Sequence, residues 1–541
     1  MTTSRLTCLG IALWGERQFQ GYRSRTHKSS GGREKPNSCD SGYHDRVSCF
    51  LPFALLVFVL PLGHPNARAN EPFKAGFAET DITPDPGMEK PGGYHKSFYQ
   101  KTQDPCKVRA AVFDDGTTRV ALVGLDALIV PRALVKEARA GIQAACGIAP
   151  EAVLIGASHS HSSGPVGMVQ PGEYDHASEL VQKLAYEQSS CANPEYLQTV
   201  QTAIVKAVCQ ADKNRTESQC GVGSGHEDKV NFNRRFRMTN GRTFTHPGKR
   251  NPEIVEVAGP VDPEVGVIGA WDSSGKLMGC VVNFANHGTT GASGWSANWI
   301  YYMEQVIRGA LGEDTIVVFL NGDCGDITQV DNLSPYPNLG GPVVGGRVGA
   351  EAVKVLLSMH RGSLAPLDVR QKVFTIRRRK PDPERIERCL AEAEKTPDKV
   401  PTWTKETLML DALIAKEPAV EVEVQAIQVG PAVFVANEAE MFVEYGLELR
   451  ERSPFEFTYP VELANGCVGY VPTEEAMGPR GGGYETRLTS YSNLSITAGR
   501  QILDAGLELV RQMNPGTSPA PKAIPPSHTP WSYGNVPPEL K

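Results

Sequence analysis

The chain has 541 residues, of which 40% are hydrophobic and 21% charged, and its formal net charge is −6. This length suits several domains of ordinary size or one large domain with appendages. No basic excess indicates nucleic-acid binding, and no acidic run indicates a disordered tail. The 54 glycines and 40 prolines predict many loops and turns, which argues against a helical bundle.

The N-terminal region is interpreted as an unstructured extension followed by an export signal. Residues 1–45 are rich in Ser, Arg, Gly and Lys and show no apolar period. The apolar run 50–60 is too short and too interrupted by proline for a membrane span, and an Ala-Arg-Ala cleavage site ends at Ala69. We therefore predict a signal peptide over 46–69, with a start codon assigned too early accounting for 1–45. An uncleaved N-terminal anchor is the alternative.

Beyond the predicted signal, strand-like and helix-like segments alternate along the chain. Two apolar stretches within 108–125 flank Asp-Asp-Gly and predict a hairpin. Later apolar strands end near Phe284 and Leu320. Helical spacing predicts helices over 132–146, 196–210, 349–359, 438–452 and 499–513. This order predicts an α/β fold in which a mixed sheet is flanked by helices and polar strand-end loops form a metal site.

Most of the chain is expected to form one domain, over 70–514. Within it, residues 381–415 are charged and helical in period, which predicts a helical insertion on the surface. The tail 515–541 is rich in Pro and Ser and is expected to have no fold of its own.

Several common functional motifs are missing from the sequence. Nine of the 12 cysteines follow the predicted signal, and none belongs to a C-x-x-C pair. A structural zinc cluster or a redox motif is therefore not indicated, and the spacing does not determine any disulfide pairing. The chain also lacks H-E-x-x-H, P-loop, G-x-S-x-G and dinucleotide-binding motifs.

The most informative stretch is the loop 157–165, in which His159 and His161 follow the apolar run 152–155. In an extended chain, side chains two apart point the same way, so both imidazoles can face one site. Neutral imidazole is a common zinc ligand. The pair therefore predicts metal binding or catalysis, and an ordinary solvated loop is the alternative.

Three further residues stand at positions where the predicted elements would expose them. His287 follows a predicted strand, and Glu440 stands at the start of a predicted helix. Tyr484 lies in a Gly-Gly-Gly-Tyr-Glu segment, whose flexible backbone would expose its phenol. Each has a structural alternative: a strand cap for His287, a helix N-terminus for Glu440 and a surface tyrosine for Tyr484.

Five short motifs occur along the chain in one order. They are Ser-His-Ser-His-Ser at 158–162, Asn-Phe-Ala-Asn-His-Gly-Thr at 283–289, Gly-Asp-Ile-Thr at 325–328, Ala-Glu-Met-Phe at 439–442 and Gly-Cys-Val-Gly-Tyr-Val-Pro at 466–472. Through these motifs, the chain from about residue 73 to 513 resembles the catalytic domain of the neutral/alkaline ceramidases, zinc amidases that split N-acyl sphingosine. The motifs are similar to that family's T-H-T-H-S-G-P, N-(F/W)-x-x-H-P-T, G-D-V-S and G-E-x-F, and to a segment just before its last zinc ligand.

The resemblance implies a set of site residues. One zinc ion would be held by four side chains: His159, His287, Glu440 and Tyr484. His161 would lie beside the metal as a proton-transfer or oxyanion partner, and Arg234, in a segment similar to the family's N-R-S, would contact the substrate. Such nitrogen and oxygen ligands leave room for water or an amide oxygen, and zinc would lower the pKa of the water and polarise the carbonyl. His161 would then protonate the leaving amine.

Two positions depart from the family pattern. The serine of G-D-V-S, which has been considered a nucleophile, is Thr328 in this chain, and the proline after the second histidine is Gly288. The β-branched threonine is bulkier and stiffer than serine. We therefore favour zinc-activated water as the attacking group, with Thr328 assisting at most.

Together, these observations predict an exported zinc-dependent amidohydrolase that resembles neutral ceramidase. Its substrate would be N-acyl sphingosine (ceramide) or a related N-acyl amine, as a small molecule or a lipid, with peripheral membrane contact and without nucleic acid. One zinc ion is the expected cofactor, and binding of Mg²⁺ or Ca²⁺ stays open. The alternatives are a zinc esterase or phosphoesterase that uses the same site, and a non-catalytic family member that acts as a binding module.

Overall fold

The structure, a computed structural model, describes residues 72–529 and 531–541. By their internal contacts, these residues fall in one unit, Ala67–Lys541. The predicted extension 1–45 and the predicted signal peptide 46–69 lie outside the described residues.

The described residues contain 20 strands and nine α-helices. The strands are Lys74–Asp81 (β1), Lys107–Asp114 (β2), Arg119–Leu125 (β3), Val153–Ala157 (β4), Thr216–Glu217 (β5), Gln219–His226 (β6), Phe232–Asn233 (β7), Arg235–Met238 (β8), Thr243–Thr245 (β9), Ile254–Val257 (β10), Glu264–Trp271 (β11), Leu277–Phe284 (β12), Ile316–Asn321 (β13), Ile327–Thr328 (β14), Leu367–Arg377 (β15), Ala419–Val429 (β16), Ala432–Asn437 (β17), Glu440–Met441 (β18), Phe457–Val461 (β19) and Tyr470–Val471 (β20). The helices are Arg132–Cys146 (α1), Glu179–Tyr186 (α2), Pro194–Lys213 (α3), Trp299–Leu311 (α4), Gly341–Ser358 (α5), Pro383–Lys395 (α6), Thr402–Lys416 (α7), Val443–Arg452 (α8) and Ala498–Arg511 (α9).

Three mixed sheets form the framework, with strand orders β4-β3-β2-β1-β5, β13-β12-β11-β6 and β15-β16-β17-β19. Each sheet contains one parallel pair of strands: β3 with β4, β12 with β13 and β17 with β19. The α/β class predicted from the sequence is confirmed. The structure has three mixed sheets where the sequence predicted one. Open twisted sheets rarely exceed about ten strands before they split into packed sheets, which accounts for the difference.

Helices cover each sheet, as the alternating sequence pattern predicts. Helix α3 packs on β1 and β2 and against α1, whereas α5 packs on β6 and β11 and against α4. Helices α8 and α9 pack on the third sheet. The start of α3 shows why it begins there: Pro194 occupies the first turn, and the Asn193 side chain accepts a hydrogen bond from the Tyr196 amide. The predicted hairpin 108–125 and the predicted helix 132–146 are both confirmed, as β2–β3 and α1.

The largest hydrophobic cluster lies where the three sheets meet. It includes Val123 of the first sheet, Leu320 of the second and Phe434 of the third, all buried. Burying each such side chain contributes about 1.5–3 kcal/mol. The parallel strands β4, β12 and β17 are nearly continuous apolar segments, and each contributes buried side chains to this cluster. Because the packing fixes these strands, it also fixes the position of the loops at their carboxyl ends.

The span 381–415 is helical as predicted, since α6 and α7 lie there. The expectation of a surface insertion is wrong for α7, which is largely buried. Its Lys405 side chain is fully buried and donates hydrogen bonds to the Tyr94 and Gln188 carbonyls, at 2.5 and 2.8 Å. Helix α7 therefore holds the loop that carries Tyr94. Among the described residues, no helix combines the length and apolar character needed to cross a membrane.

Candidate metal centre

Three of the predicted site residues come together from different sheets. His159 follows β4, His287 follows β12, and Glu440 follows β17. Glu440 Oε2 is 3.3 Å from His159 Nε2 and 3.5 Å from His287 Nε2, and all three side chains are buried. The carboxyl ends of the parallel strands thus deliver two imidazoles and one carboxylate to one point, as expected for ligand-binding α/β sheets.

The hydrogen bonds behind these side chains determine which atoms remain available. The Nδ1 atom of His159 is 3.0 Å from the Leu128 carbonyl, which can only accept, so Nδ1 carries the proton and Nε2 keeps its lone pair. Glu440 Oε1 accepts a hydrogen bond from the Tyr491 hydroxyl at 2.6 Å, while Glu440 Oε2 is buried without a hydrogen-bond partner. Two imidazole nitrogens and an unpartnered carboxylate oxygen form the type of donor set that zinc takes. The residues present therefore fit a zinc ion.

Backbone strain is found at the first of these residues. His159 has a φ of 58°, in the left-handed region that residues other than glycine rarely adopt. The amides of its neighbours Ser158 and Ser160 bond to the carbonyls of Leu125 and Ala127, at 2.8 and 3.0 Å. The end of β3 thus holds the loop in a conformation that costs about 1–3 kcal/mol.

His161 lies beside the three donor atoms. Its Nε2 is 3.3 Å from His159 Nε2, and its Nδ1 is 3.2 Å from the Gly92 carbonyl. The available nitrogens of His159, His161 and His287 all lie within 4.8 Å of one another. Because the carbonyl assigns the proton to Nδ1, the Nε2 of His161 faces the centre as an acceptor.

Two glycines permit the close approach of the loops at this centre. A Cβ added to Gly288 would lie 2.5 Å from the His159 carbonyl oxygen, and one added to Gly92 would lie 2.4 Å from His161 Nδ1. The His161 amide donates to the Gly288 carbonyl at 3.0 Å, which joins the two histidine loops directly. The glycine that replaces the family's proline is therefore part of the contact between the loops.

The surroundings set the charge of the donor groups. Burial, followed by the charge of Arg234, lowers the pKa of His287 to about 3. Burial and the two neighbouring histidines likewise lower the pKa of His161 well below its usual value. Burial alone would raise the pKa of Glu440, but His159 and His287 lower it well below its usual value. The lowered pKa values of His287 and His161 favour neutral imidazoles, and that of Glu440 favours the carboxylate; these are the forms that bind metal.

Arg234, which the family resemblance assigns to substrate contact, is buried at the centre itself. Its guanidinium donates to Glu485 Oε1 at 2.7 Å, to the Gly325 carbonyl at 2.8 Å and to the Tyr470 hydroxyl at 3.1 Å. Its Nη1 is 3.1 Å from His287 Nε2. The guanidinium is thus held rigidly, with one N–H directed at the donor set.

The predicted ligand Tyr484 lies on the outer side of the centre. Its side chain is 37% exposed, and its ring meets the rings of Tyr94 and Tyr470 edge-on, with centroids 6.4 and 5.3 Å away. Tyr470 is buried and hydrogen-bonded to Arg234, and its strand β20 pairs with β18, so that Tyr470 is opposite Glu440. The structure therefore brings a second phenol, which we did not predict, to the same place.

Thr328 makes a different contact from that expected of a nucleophile. It is buried in β14, where it pairs with Phe232, and its hydroxyl donates to Gln329 Oε1 at 2.9 Å. Gln329 also accepts from the Thr289 hydroxyl at 2.9 Å. The Thr328 hydroxyl is thus engaged by a glutamine that is bonded to the loop after His287.

Three residues near the donor set were not singled out from the sequence: the buried Cys324 and Glu462 and the half-buried Tyr491. Tyr491 bonds Glu440, while Cys324 lies beside His287 and Glu462 beside Cys324. Cys324 immediately precedes the Gly-Asp-Ile-Thr motif, which is a local signal for it. Tyr491 and Glu462 carry no such signal, since both reach the site through tertiary contacts.

A cavity of about 490 Å³ lies next to the centre. Its lining is of mixed polarity: the apolar residues include Ile129, Leu197 and Leu413, the charged ones include Arg132, Glu173 and Arg378, and Tyr491 also lines it. Since the Tyr491 hydroxyl bonds Glu440, one side chain separates this partly apolar space from the carboxylate of the donor set.

The fold and the donor set define an α/β protein with a candidate metal centre at the ends of its parallel strands. No protein-family model matches the chain. The chain is 26% identical over 251 residues to the neutral ceramidase of Pseudomonas aeruginosa, a match that covers 45% of this chain and 34% of that protein. The chain thus spans about a third of the curated relative that it matches.

Two solved structures share the fold over most of the chain. A ceramidase described as complexed with C2 aligns with a TM-score of 0.61 at 18% identity, over 84% of this chain and 77% of that one. The neutral ceramidase from Pseudomonas aeruginosa aligns with a TM-score of 0.59 at 18% identity, over 84% and 76% of the two chains. The resemblance to the neutral ceramidases that the motifs indicate is thereby confirmed.

Proposed function

We propose that this protein is an exported zinc-dependent amidohydrolase of the neutral ceramidase type. Its reaction would be hydrolysis of the amide of N-acyl sphingosine or of a related N-acyl amine. The observation that carries the proposal is the meeting of His159 Nε2, His287 Nε2 and the unpartnered Glu440 Oε2. The fold shared with two ceramidase structures supports the substrate class.

These three residues, with a phenol from Tyr484 or Tyr470, would hold the zinc ion. When bound, zinc would act as a Lewis acid toward the amide carbonyl and would lower the pKa of the attacking water. The third imidazole of the cluster, that of His161, presents Nε2 as an acceptor and would take the proton from the attacking water. It would then deliver the proton to the leaving amine, since breaking the C–N bond requires a protonated nitrogen.

Arg234 would stabilise the negative charge that develops on the carbonyl oxygen. Its guanidinium is fixed by Glu485 and Gly325, so that its orientation does not change during the reaction. Preorganised donors of this kind contribute about 3–4 kcal/mol in other hydrolases. Thr328 would at most assist, because its hydroxyl is bonded to Gln329.

The cavity beside Tyr491 would receive an apolar chain of the substrate. Ile129, Leu197 and Leu413 would contact that chain, while Arg132 and Arg378 in the same lining are available to polar groups of the substrate. Export is part of the proposal because of the predicted signal over 46–69, and N-terminal sequencing of protein recovered outside the cytoplasm tests it.

The proposal is tested with the purified protein and the variants His159→Ala and His287→Ala. Each is incubated with N-acyl sphingosine and with simpler N-acyl amines, before and after chelation, and bound zinc is measured. We expect zinc-dependent release of fatty acid that falls by more than about 100-fold in both variants, because even partners of metal ligands affect activity 10–100-fold. His226→Ala removes an exposed histidine outside the centre and should leave release unchanged.

The other outcomes separate the alternatives. Bound zinc with no release from any amide would exclude the amidase and leave the esterase or phosphoesterase, which ester and phosphoester substrates then test. Zinc binding without turnover of any of these substrates would favour a binding module. Fatty-acid release that persists after chelation and in both variants would contradict the zinc mechanism.

A further inference from the structure

A buried thiol and a buried carboxylate line up behind His287. Cys324 Sγ is 3.4 Å from His287 Nδ1 and 2.8 Å from Glu462 Oε1. On its other side, the same imidazole directs Nε2 at Glu440 Oε2, 3.5 Å away. Cys324 and Glu462 are both completely buried. One nitrogen of the ring therefore faces the donor set, while the other faces the thiol.

Glu462 is itself held at both of its oxygens. Its Oε2 accepts hydrogen bonds from the backbone amides of Cys324, at 2.8 Å, and Met441, at 3.1 Å. Cys324 follows β13 and Met441 is next to Glu440, whereas Glu462 itself follows β19. A single carboxylate thus joins the segments that follow β13, β17 and β19. The segment after β17 carries Glu440, and the segment after β13 contacts His287 through Cys324.

The chemistry of the three groups sets the direction of their protons. Arg234 Nη1 can only donate and lies 3.1 Å from His287 Nε2, so Nδ1 carries the proton. A sulfur lone pair of Cys324 then accepts the Nδ1–H, and the Cys324 S–H donates to Glu462 Oε1. This arrangement leaves the lone pair of His287 on Nε2, where a metal ligand needs it. Histidines that bind metals usually donate their other N–H to a carboxylate, a carbonyl or water, and the partner fixes the tautomer and the ring orientation. In this protein, a thiol lies between the imidazole and the carboxylate.

We propose that Cys324 and Glu462 are positioning residues that hold His287 as its Nδ1–H tautomer and direct its Nε2 at the metal. The inference rests on the metal centre of the proposed function but not on the amide substrate. It assigns a role to the cysteine of Asn-Gly-Asp-Cys-Gly-Asp and to a glutamate that no motif contains.

The test uses the full chain with the substitutions Cys324→Ala, Cys324→Ser and Glu462→Gln. Cys280→Ala is the matched control, because Cys280 is equally buried but lies within β12, away from the donor set. Histidines are labelled with ¹⁵N in metal-free protein, and the His287 signals are assigned by their absence from His287→Ala. Zinc affinity is measured by competition with a chelator, and the visible spectrum of the cobalt-loaded protein reports the ligand geometry.

We expect wild-type His287 to be protonated at Nδ1. In Cys324→Ala the share of the Nε2–H tautomer should rise above the wild-type share, because only the Arg234 N–H that faces Nε2 then opposes it. Zinc affinity should fall by about 10–100-fold in Cys324→Ala and Glu462→Gln, with an altered cobalt spectrum. Cys324→Ser keeps a donor and an acceptor and should recover most of the affinity. Cys280→Ala should retain the tautomer, the affinity and the spectrum.

The proposal is overturned if Cys324→Ala and Glu462→Gln keep the wild-type tautomer, or if Cys280→Ala changes it as much as they do. The tautomer measurement needs no metal, so it decides the proposal even if the protein binds none. Failure of the amidase would instead appear as intact zinc binding without fatty-acid release in the wild type. The two failures are therefore distinguishable.

Discussion

The Tyr491 hydroxyl donates a hydrogen bond to Glu440 Oε1 across 51 residues of sequence, with the two oxygens 2.6 Å apart. This bond occupies one oxygen of the carboxylate, and the other oxygen is left facing His159 and His287. The phenol thereby determines which oxygen of Glu440 is available to a metal.

Removing this hydroxyl should weaken metal binding without unfolding the protein. In Tyr491→Phe the Glu440 carboxylate loses its orienting donor, so we expect the zinc dissociation constant to rise by about tenfold. Tyr186→Phe is the control, because that hydroxyl bonds Asp175 on the surface. Competition with a chelator measures the zinc affinity of both variants. Equal affinities in the two variants would contradict an orienting role.

Gly288→Ala should disrupt the contact between the two histidine loops. The added Cβ would lie 2.5 Å from the His159 carbonyl oxygen, which is backbone and has to move. We expect a loss of about 1–3 kcal/mol in the free energy of unfolding, together with weaker zinc binding. Gly309→Ala is the matched control, since its Cβ in α4 would meet nothing within 4 Å. That change should stabilise the helix by about 0.5–1 kcal/mol, and denaturant unfolding measures both variants.

Two phenols are candidates for a further ligand of the proposed metal ion. The family resemblance assigns this role to Tyr484, whereas the structure places the buried Tyr470 opposite Glu440 and against Arg234. We expect Tyr470→Phe to lower zinc affinity and activity more than Tyr484→Phe, because Tyr470 is the more rigidly held. A larger loss of zinc affinity in Tyr484→Phe would instead support the residue that the resemblance implies.

Asp323 should make stability depend on pH. Burial raises its pKa to about 7, against an unfolded value of about 3.9. The folded state therefore binds the proton more tightly, so the contribution of Asp323 to stability is complete below pH 4 and is lost as the pH rises to about 7. Asp262, Arg450 and Asp326 also act on this carboxyl, and Asn437 donates to it at 3.0 Å.

The variant Asp323→Asn should remove that pH dependence. Between pH 4.5 and 7.5, we expect wild-type stability to fall relative to the variant by a few kcal/mol, at most about 4. Denaturant unfolding of both proteins across this range measures the difference, in which groups common to both cancel. Parallel stability profiles would show that Asp323 is ionised in the folded protein throughout.

Filling the cavity should select against long substrates. Leu197→Trp adds volume to a lining residue without touching the donor set. We expect kcat/KM for long-chain N-acyl amines to fall by about tenfold or more, with short-chain amides little affected. Leu390→Trp on the exposed face of α6 is the control. An equal effect on short and long chains would argue that the chain binds elsewhere.

Much of this architecture follows from local sequence signals. The hairpin at 108–125 and the helix at 132–146 form as the apolar periods predict, since each buries a face that is encoded within a few residues. His159 and His287 were recognisable because each follows an apolar strand, and strand ends are where α/β folds bind ligands. The number of sheets could not be predicted from the sequence, because it depends on the pairing of strands that are far apart in the chain.

The sequence by itself determined the strand-end motifs, their order and the residue types suited to zinc. Only the tertiary structure decided that Tyr491 and Tyr470 flank Glu440, that Arg234 reaches His287, and that Glu462 and Cys324 lie behind it. The physical reason is that these contacts join segments far apart in the chain, and no periodic pattern of apolar residues in the sequence indicates such contacts. Their geometry is set by the packing of three sheets on one core, which no local stretch of the chain encodes.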